Sequence, residues 1–152
     1  MTGDGNDRPM DRALAEARAA AAIGEVPVGA VVTDSVGTVI AQAGNRVIAG
    51  RDPTAHAEIL AIRAAAALMG NERLTGCALY VTLEPCPMCA TAISLARIRR
   101  LYFAATDARG GGVENGPRIF DQPTCHHVPE VYGGIGEVAA GRLLKDFFAA
   151  RR

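Results

Sequence analysis

Apolar and polar positions along this chain switch between a helical and a two-residue period. Leu14, Ala17, Arg18 and Ala21 recur at helical spacing, so a helix is predicted from Pro9 to about Ile23, stopped by Gly24. Val26 to Val32 is rich in β-branched residues and reads as a strand. Asp34-Ser35-Val36-Gly37 is a turn, and Thr38 to Ala41 is a second strand, making a hairpin. Gly29 inside the first strand marks either a bulge or a close approach to ligand, with the bulge ahead. Thr54 is the expected N-cap of a helix reaching Met69, with Ile59, Ile62, Ala66 and Met69 on its apolar face. Cys77 to Leu83, Pro87 to Ala96 and Arg99 to Ala105 form a strand–helix–strand unit, for which a parallel pair with a right-handed crossover is expected. Residues 107–117 are a glycine-rich loop, and 118–134, broken by Pro123, Pro129, Gly133 and Gly134, carry no clear period. A last helix is predicted from Gly136 to Ala149, with Val138, Leu143, Leu144 and Phe147 towards the core. Neighbouring Phe147 and Phe148 point in different directions, so only one of them is expected to be fully buried.

No repeat and no long linker divides the chain, so residues 1–152 read as one domain, with 1–7 a loose polar tail. Composition changes this picture little: 49% hydrophobic and 21% charged residues describe a globular chain. The formal charge of zero matters more, because it excludes a strongly basic module and makes any nucleic-acid surface local. No apolar run approaches the ~20 residues that span a membrane, and no secretory leader opens the sequence. A soluble protein of the reducing cytoplasm is expected, where paired cysteines serve as metal ligands or redox groups.

The chemistry is concentrated in His56-Ala57-Glu58 and Pro85-Cys86-Pro87-Met88-Cys89. A C-x-x-C at a helix start places both sulfurs near exposed backbone N–H groups, which favour thiolate. Alone, Cys86 and Cys89 suit a thioredoxin-like redox pair as well as a metal site. His56 tips the balance to metal: His56, Cys86 and Cys89 make a three-ligand zinc set, one per chain, that leaves a position for water. Glu58 is then the proton shuttle. Residues two apart on a helix point about 200° from each other, so His56 and Glu58 can converge only beyond the helix N-terminus. Two helix starts, near 55 and 86, must therefore meet at one end of a sheet. Cys125-His126-His127 offers a poorer metal site, Cys77 reads as a small buried hydrophobe, and Glu84 as either a turn residue or an orienting group.

H-x-E followed by P-C-x-x-C is the signature of zinc-dependent nucleobase deaminases. With Val26-Pro27-Val28-Gly29-Ala30, Asn45, Leu79 to Cys89, and Leu143-Leu144-Lys145-Asp146-Phe147-Phe148, the chain resembles the bacterial tRNA adenosine deaminases. That resemblance implies a three-layer α/β/α cytidine-deaminase-like fold with a mixed central sheet, a zinc cofactor and a homodimer. It implies conversion of the wobble adenosine of a tRNA anticodon to inosine, with a metal-activated water attacking the amino-bearing carbon. It makes His56, Cys86 and Cys89 the metal ligands, Glu58 the shuttle, Asn45 a contact to the base, and Asp107 a position near the nucleic-acid backbone. Residues 110–134 depart from the better-known pattern of that family. The same site could serve free guanine, cytosine or a nucleoside, and a zinc or redox module without hydrolytic activity is a third reading, against which Glu58 stands.

Overall fold

The computed structural model describes residues 8–151, so the tail expected at 1–7 lies outside the described residues. The elements run α1 (Pro9–Ala22), β1 (Gly29–Thr33), β2 (Val39–Gly44), α2 (Ala57–Met69), β3 (Ala78–Leu83), α3 (Pro87–Leu95), β4 (Arg100–Ala105), β5 (Glu130–Gly133) and α4 (Glu137–Ala149). The stretch without a clear period in sequence holds β5 and a single 3-10 turn, Ile119–Asp121. It gave no signal because β5 is only 4 residues long and mostly exposed, so it needs no alternation.

The sheet order is β2-β1-β3-β4-β5. β1 runs antiparallel to both β2 and β3, while β3, β4 and β5 are parallel to one another. The predicted hairpin and the predicted parallel pair are both present, and the sheet is mixed. Its alternation divides the core in two. Ala30, Val32, Leu79, Val81, Leu101 and Phe103 face Ala57, Ala61 and Ala65 of α2 and Ala90 and Ile93 of α3. Val31, Ala104 and Tyr80 face Met10, Ala13 and Leu14 of α1 and Ala140 of α4. Helices on both faces of a mixed sheet give the three-layer α/β/α architecture. On the α1/α4 side Tyr80, Tyr102 and Tyr132 stand in register on β3, β4 and β5 and stack, with ring centroids 4.5 and 5.1 Å apart.

Several local expectations change. Gly29 is neither a bulge nor a ligand approach. A Cβ there would lie 1.9 Å from the carbonyl oxygen of Ala13 and 2.7 Å from the amide nitrogen of Ala17, so glycine lets α1 lie directly on β1. β1 also begins three residues later than predicted: Val26 and Val28 close a tight turn through Val28 N–H to Val26 O, and Pro27 has no N–H for the ladder. Thr54 does not cap α2. Its hydroxyl donates to Asp52 Oδ1 at 2.7 Å, its N–H donates there as well, and the helix starts after His56. The fully buried positions of α2 are Ala57, Glu58, Ala61 and Ala65; of the predicted face Ile62 and Ala66 pack partly buried against the core, Ile59 is partly buried, and Met69 is about half exposed. Small side chains let this helix approach the sheet closely. On α1 Arg18 is exposed, and the buried face is Met10, Ala13, Leu14, Ala17 and Ala20. On α4 Ala140 and Phe147 are buried, whereas Val138 is 74% exposed and Phe148 about half exposed.

Candidate active site

His56 and Cys86 are the N-cap residues of α2 and α3. Both have extended backbone, and neither side chain bonds back to its own helix. N-cap side chains usually satisfy first-turn N–H groups. Here they project past the helix ends, and the two ends meet. His56 Nδ1 lies 3.6 Å from Cys86 Sγ and 3.5 Å from Cys89 Sγ. The three donor atoms all fall within 4.8 Å of one another. The convergence of two helix starts demanded by the H-x-E spacing is therefore present.

This donor set fits zinc. A tetrahedral ion at ordinary Zn–N and Zn–S lengths holds its nitrogen and sulfur ligands about 3.6 Å apart, which is the separation seen here. Protonation follows the same logic. The Cys86 thiol is drawn down to about 4, first because the Cys89 thiol donates to it and then because His56 pairs with it. Cys89 is pushed up by that same bond and by burial, and His56 is raised by its bond to Cys86. A divalent cation displaces the thiol protons of such a set when it binds.

Glu58 sits in the first turn of α2 and is only 4% exposed. Burial pushes its carboxyl up to about 7, with the neighbouring Cys86 thiolate adding to the rise and the Cys89 thiol opposing it. A carboxyl poised near neutrality can both take and give a proton. His56, Glu58 and Cys86 line a cavity of about 360 Å³, whose wall also includes Asn45 and Asp107. Asn45 Oδ1 accepts from the N–H of Ala57 at 2.8 Å, so a residue from outside α2 caps that helix. Asp107 Oδ1 accepts from the N–H groups of Arg109 and Gly110, closing a turn at the rim. All six residues singled out in the sequence thus lie at one place: five line the cavity, and Cys89 is buried behind Cys86.

Other candidates do not join them. Cys125 and His127 are tied to α3 instead: His127 N–H donates to Ser94 Oγ, and His127 Nε2 lies 2.7 Å from the carbonyl of Ile98. Cys77 is buried, and burial raises its thiol. Glu84, read from sequence as a turn residue or an orienting group, also lines the cavity, and Glu25 is a wall carboxylate that sequence reasoning missed. Both carboxylates are 2% exposed. A glutamate beside an apolar run gives no sign of burial, because its partners here are N–H groups of loops distant in sequence.

Comparison with known proteins agrees with this geometry. The profile of the cytidine and deoxycytidylate deaminase zinc-binding region matches residues 5–105. A tRNA-specific adenosine deaminase of Agrobacterium fabrum is 56% identical over 143 residues, covering 94% of this chain and 93% of its own length. A structure from a study of A-to-I editing by tRNA:A34 deaminases superimposes with a TM-score of 0.88 at 57% identity, over 90% of this chain and 98% of that one. A guanine deaminase from Nitrosomonas europaea superimposes with a TM-score of 0.80 at 28% identity, over 98% of this chain and 87% of that one. With its two helix starts converging on a His-Cys-Cys cluster, the chain belongs to the zinc-binding cytidine and deoxycytidylate deaminase family and groups there with the tRNA-specific adenosine deaminases.

Proposed function

We propose that this enzyme converts the wobble adenosine of a tRNA anticodon to inosine, with water consumed and ammonia released. The carrying observation is the buried Glu58 carboxyl on the wall of a base-sized cavity beside the His56–Cys86–Cys89 cluster. The 56% identity to a tRNA-specific adenosine deaminase supports the choice of substrate. His56, Cys86 and Cys89 would hold one zinc ion per chain, which would supply the Lewis acidity that makes water a nucleophile near neutral pH. Glu58 takes a proton from the attacking water and delivers it to the ring nitrogen beside the amino-bearing carbon. It then takes the remaining proton from the added oxygen and gives it to the amine, so that the carbon–nitrogen bond breaks, ammonia leaves and the ring carbonyl forms. Asn45 orients the base through its amide, whose oxygen is occupied by Ala57 and whose Nδ2 is left for the substrate. Asp107 meets the nucleotide backbone at the rim. The chain acts as one domain, in the cytoplasm and as a homodimer. Among the described residues no helix is long and apolar enough to cross a membrane.

A second reading keeps the site and changes the substrate to a free base, favoured by the likeness to the guanine deaminase of Nitrosomonas europaea. One experiment separates the two. Zinc-loaded protein is incubated with an anticodon stem-loop carrying wobble adenosine, and in parallel with guanine, cytosine, adenosine and cytidine. Inosine in the stem-loop alone is expected. Ammonia from a free base alone would move the chain to the second reading.

A further inference from the structure

Glu84 and Glu25 are buried carboxylates on the wall of the active cavity, and neither has a part in the proton transfers above. Glu84 Oε1 accepts from Asp107 N–H at 3.0 Å and from Asn115 Nδ2 at 2.7 Å. Its Oε2 accepts from the consecutive N–H groups of Val113, Glu114 and Asn115 at 3.1, 2.9 and 3.1 Å. Successive N–H groups turned inward form a concave anion site, here filled by the protein's own carboxylate. A carboxylate has about four lone-pair sites, so Glu84 has none to spare for substrate or water.

The same loop is fitted onto the metal-ligand segment without clearance. A Cβ on Gly111 would lie 2.4 Å from Glu84 Oε2, and one on Gly112 would lie 2.6 Å from the backbone nitrogen of Pro87. Gly112 N–H also donates to Pro85 O at 2.8 Å. Across the cavity, Glu25 accepts from Ile48 N–H at 3.1 Å and Ala49 N–H at 2.8 Å, pinning the loop that follows Asn45.

We infer that Glu84 and Glu25 are positioning residues, internal hydrogen-bond acceptors that hold the two loops walling the cavity, with Glu84 fixing Asp107 and residues 113–115 against the start of α3. Substrate then meets a wall already formed and does not have to order it. The inference rests on the proposed tRNA substrate only for its kinetic half.

The test uses the zinc-loaded full chain and Glu84→Gln, which keeps the size and removes the charge. Glu25→Gln is its counterpart, and Asn115→Ala removes one donor while leaving the carboxylate. Amide hydrogen exchange is followed residue by residue, together with zinc content and steady-state kinetics on the stem-loop. Glu84→Gln is expected to speed exchange at 107 and 113–115 by at least about tenfold, and Glu25→Gln at 48 and 49. Strands β1, β3 and β4 should stay as protected as in the parent. Asn115→Ala should give a smaller change at the same amides. KM should rise several-fold in Glu84→Gln, with kcat changed less and zinc retained. Unchanged exchange at 113–115, or exchange rising equally through the strands, would overturn the anchoring role. A fall in kcat with KM constant would overturn it too, by making Glu84 part of the chemistry. Should Glu84→Gln fail to fold, Asn115→Ala still decides through exchange at 113 and 114, which must rise if the anchor is real. The exchange measurement contains no substrate, so it can fail or succeed independently of the tRNA reading.

Discussion

Asn45 Oδ1 receives the N–H of Ala57 at 2.8 Å, so the residue expected to touch the base also caps the helix that carries Glu58. The two tasks use different atoms of one amide. Replacing Asn45 with alanine removes both, and the lost cap should cost about 1 kcal/mol, lowering Tm by about 3 °C for a domain of this size. Asn45→Asp keeps the acceptor and drops the Nδ2 donor. Its Tm should stay within about 1 °C of the parent, because asparagine and aspartate cap equally well, while KM on the stem-loop rises. Thermal denaturation beside steady-state kinetics separates the tasks; equal KM in Asn45→Asp and the parent would remove Asn45 from the substrate contacts.

Glu58→Gln should retain zinc and lose turnover by about 10²–10⁴-fold, the usual contribution of a positioned acid–base group. Metal content by elemental analysis and single-turnover deamination check this. A variant that came out zinc-free would make Glu58 a ligand or a scaffold residue instead.

Chelation should abolish deamination, and added Zn²⁺ should restore it. Because the folded cluster binds metal and the unfolded chain has no such site, removing zinc should also lower Tm. Cys89→Ser should reproduce both effects without chelator. Full activity in the chelated protein would end the zinc assignment.

Gly29→Ala should be among the most destabilising single-methyl additions available. Its new methyl would meet the carbonyl of Ala13 at 1.9 Å, so α1 must move off β1. Overpacking of this kind costs about 1–3 kcal/mol, read as a fall in the urea midpoint. An unchanged midpoint would mean that α1 is more loosely seated than the structure places it.

The clustering of His56, Cys86 and Cys89 was readable from sequence because metal-site chemistry depends on residue type at short spacing. His56 and Glu58, two apart, and Cys86 and Cys89, three apart, each bring one helix start with them. The fold was legible where periodicity is strong, in α1, the hairpin, and the β3–α3–β4 unit. What stayed hidden depended on partners far along the chain. Gly29 answers to Ala13 and Ala17, and Glu84 to a loop some thirty residues on. Thr54 satisfied every local rule for a cap, yet its hydroxyl turned back to Asp52, and Asn45 did the capping from elsewhere. On α2 the predicted face was right in part: Ile62 and Ala66 pack against the core, while the fully buried line runs through Ala57, Ala61 and Ala65, whose small side chains face the sheet.

The stack of Tyr80, Tyr102 and Tyr132 has an optical consequence. The chain has three tyrosines and no tryptophan, so every phenol in the molecule stands in that one column. Tyrosine emission and near-ultraviolet circular dichroism therefore watch the β3–β4–β5 half of the sheet and little else. Detachment of the short edge strand β5 would unstack Tyr132 and register in both signals before the hairpin half had changed. The protein thus carries its own reporter for the opening of one edge, with no label required.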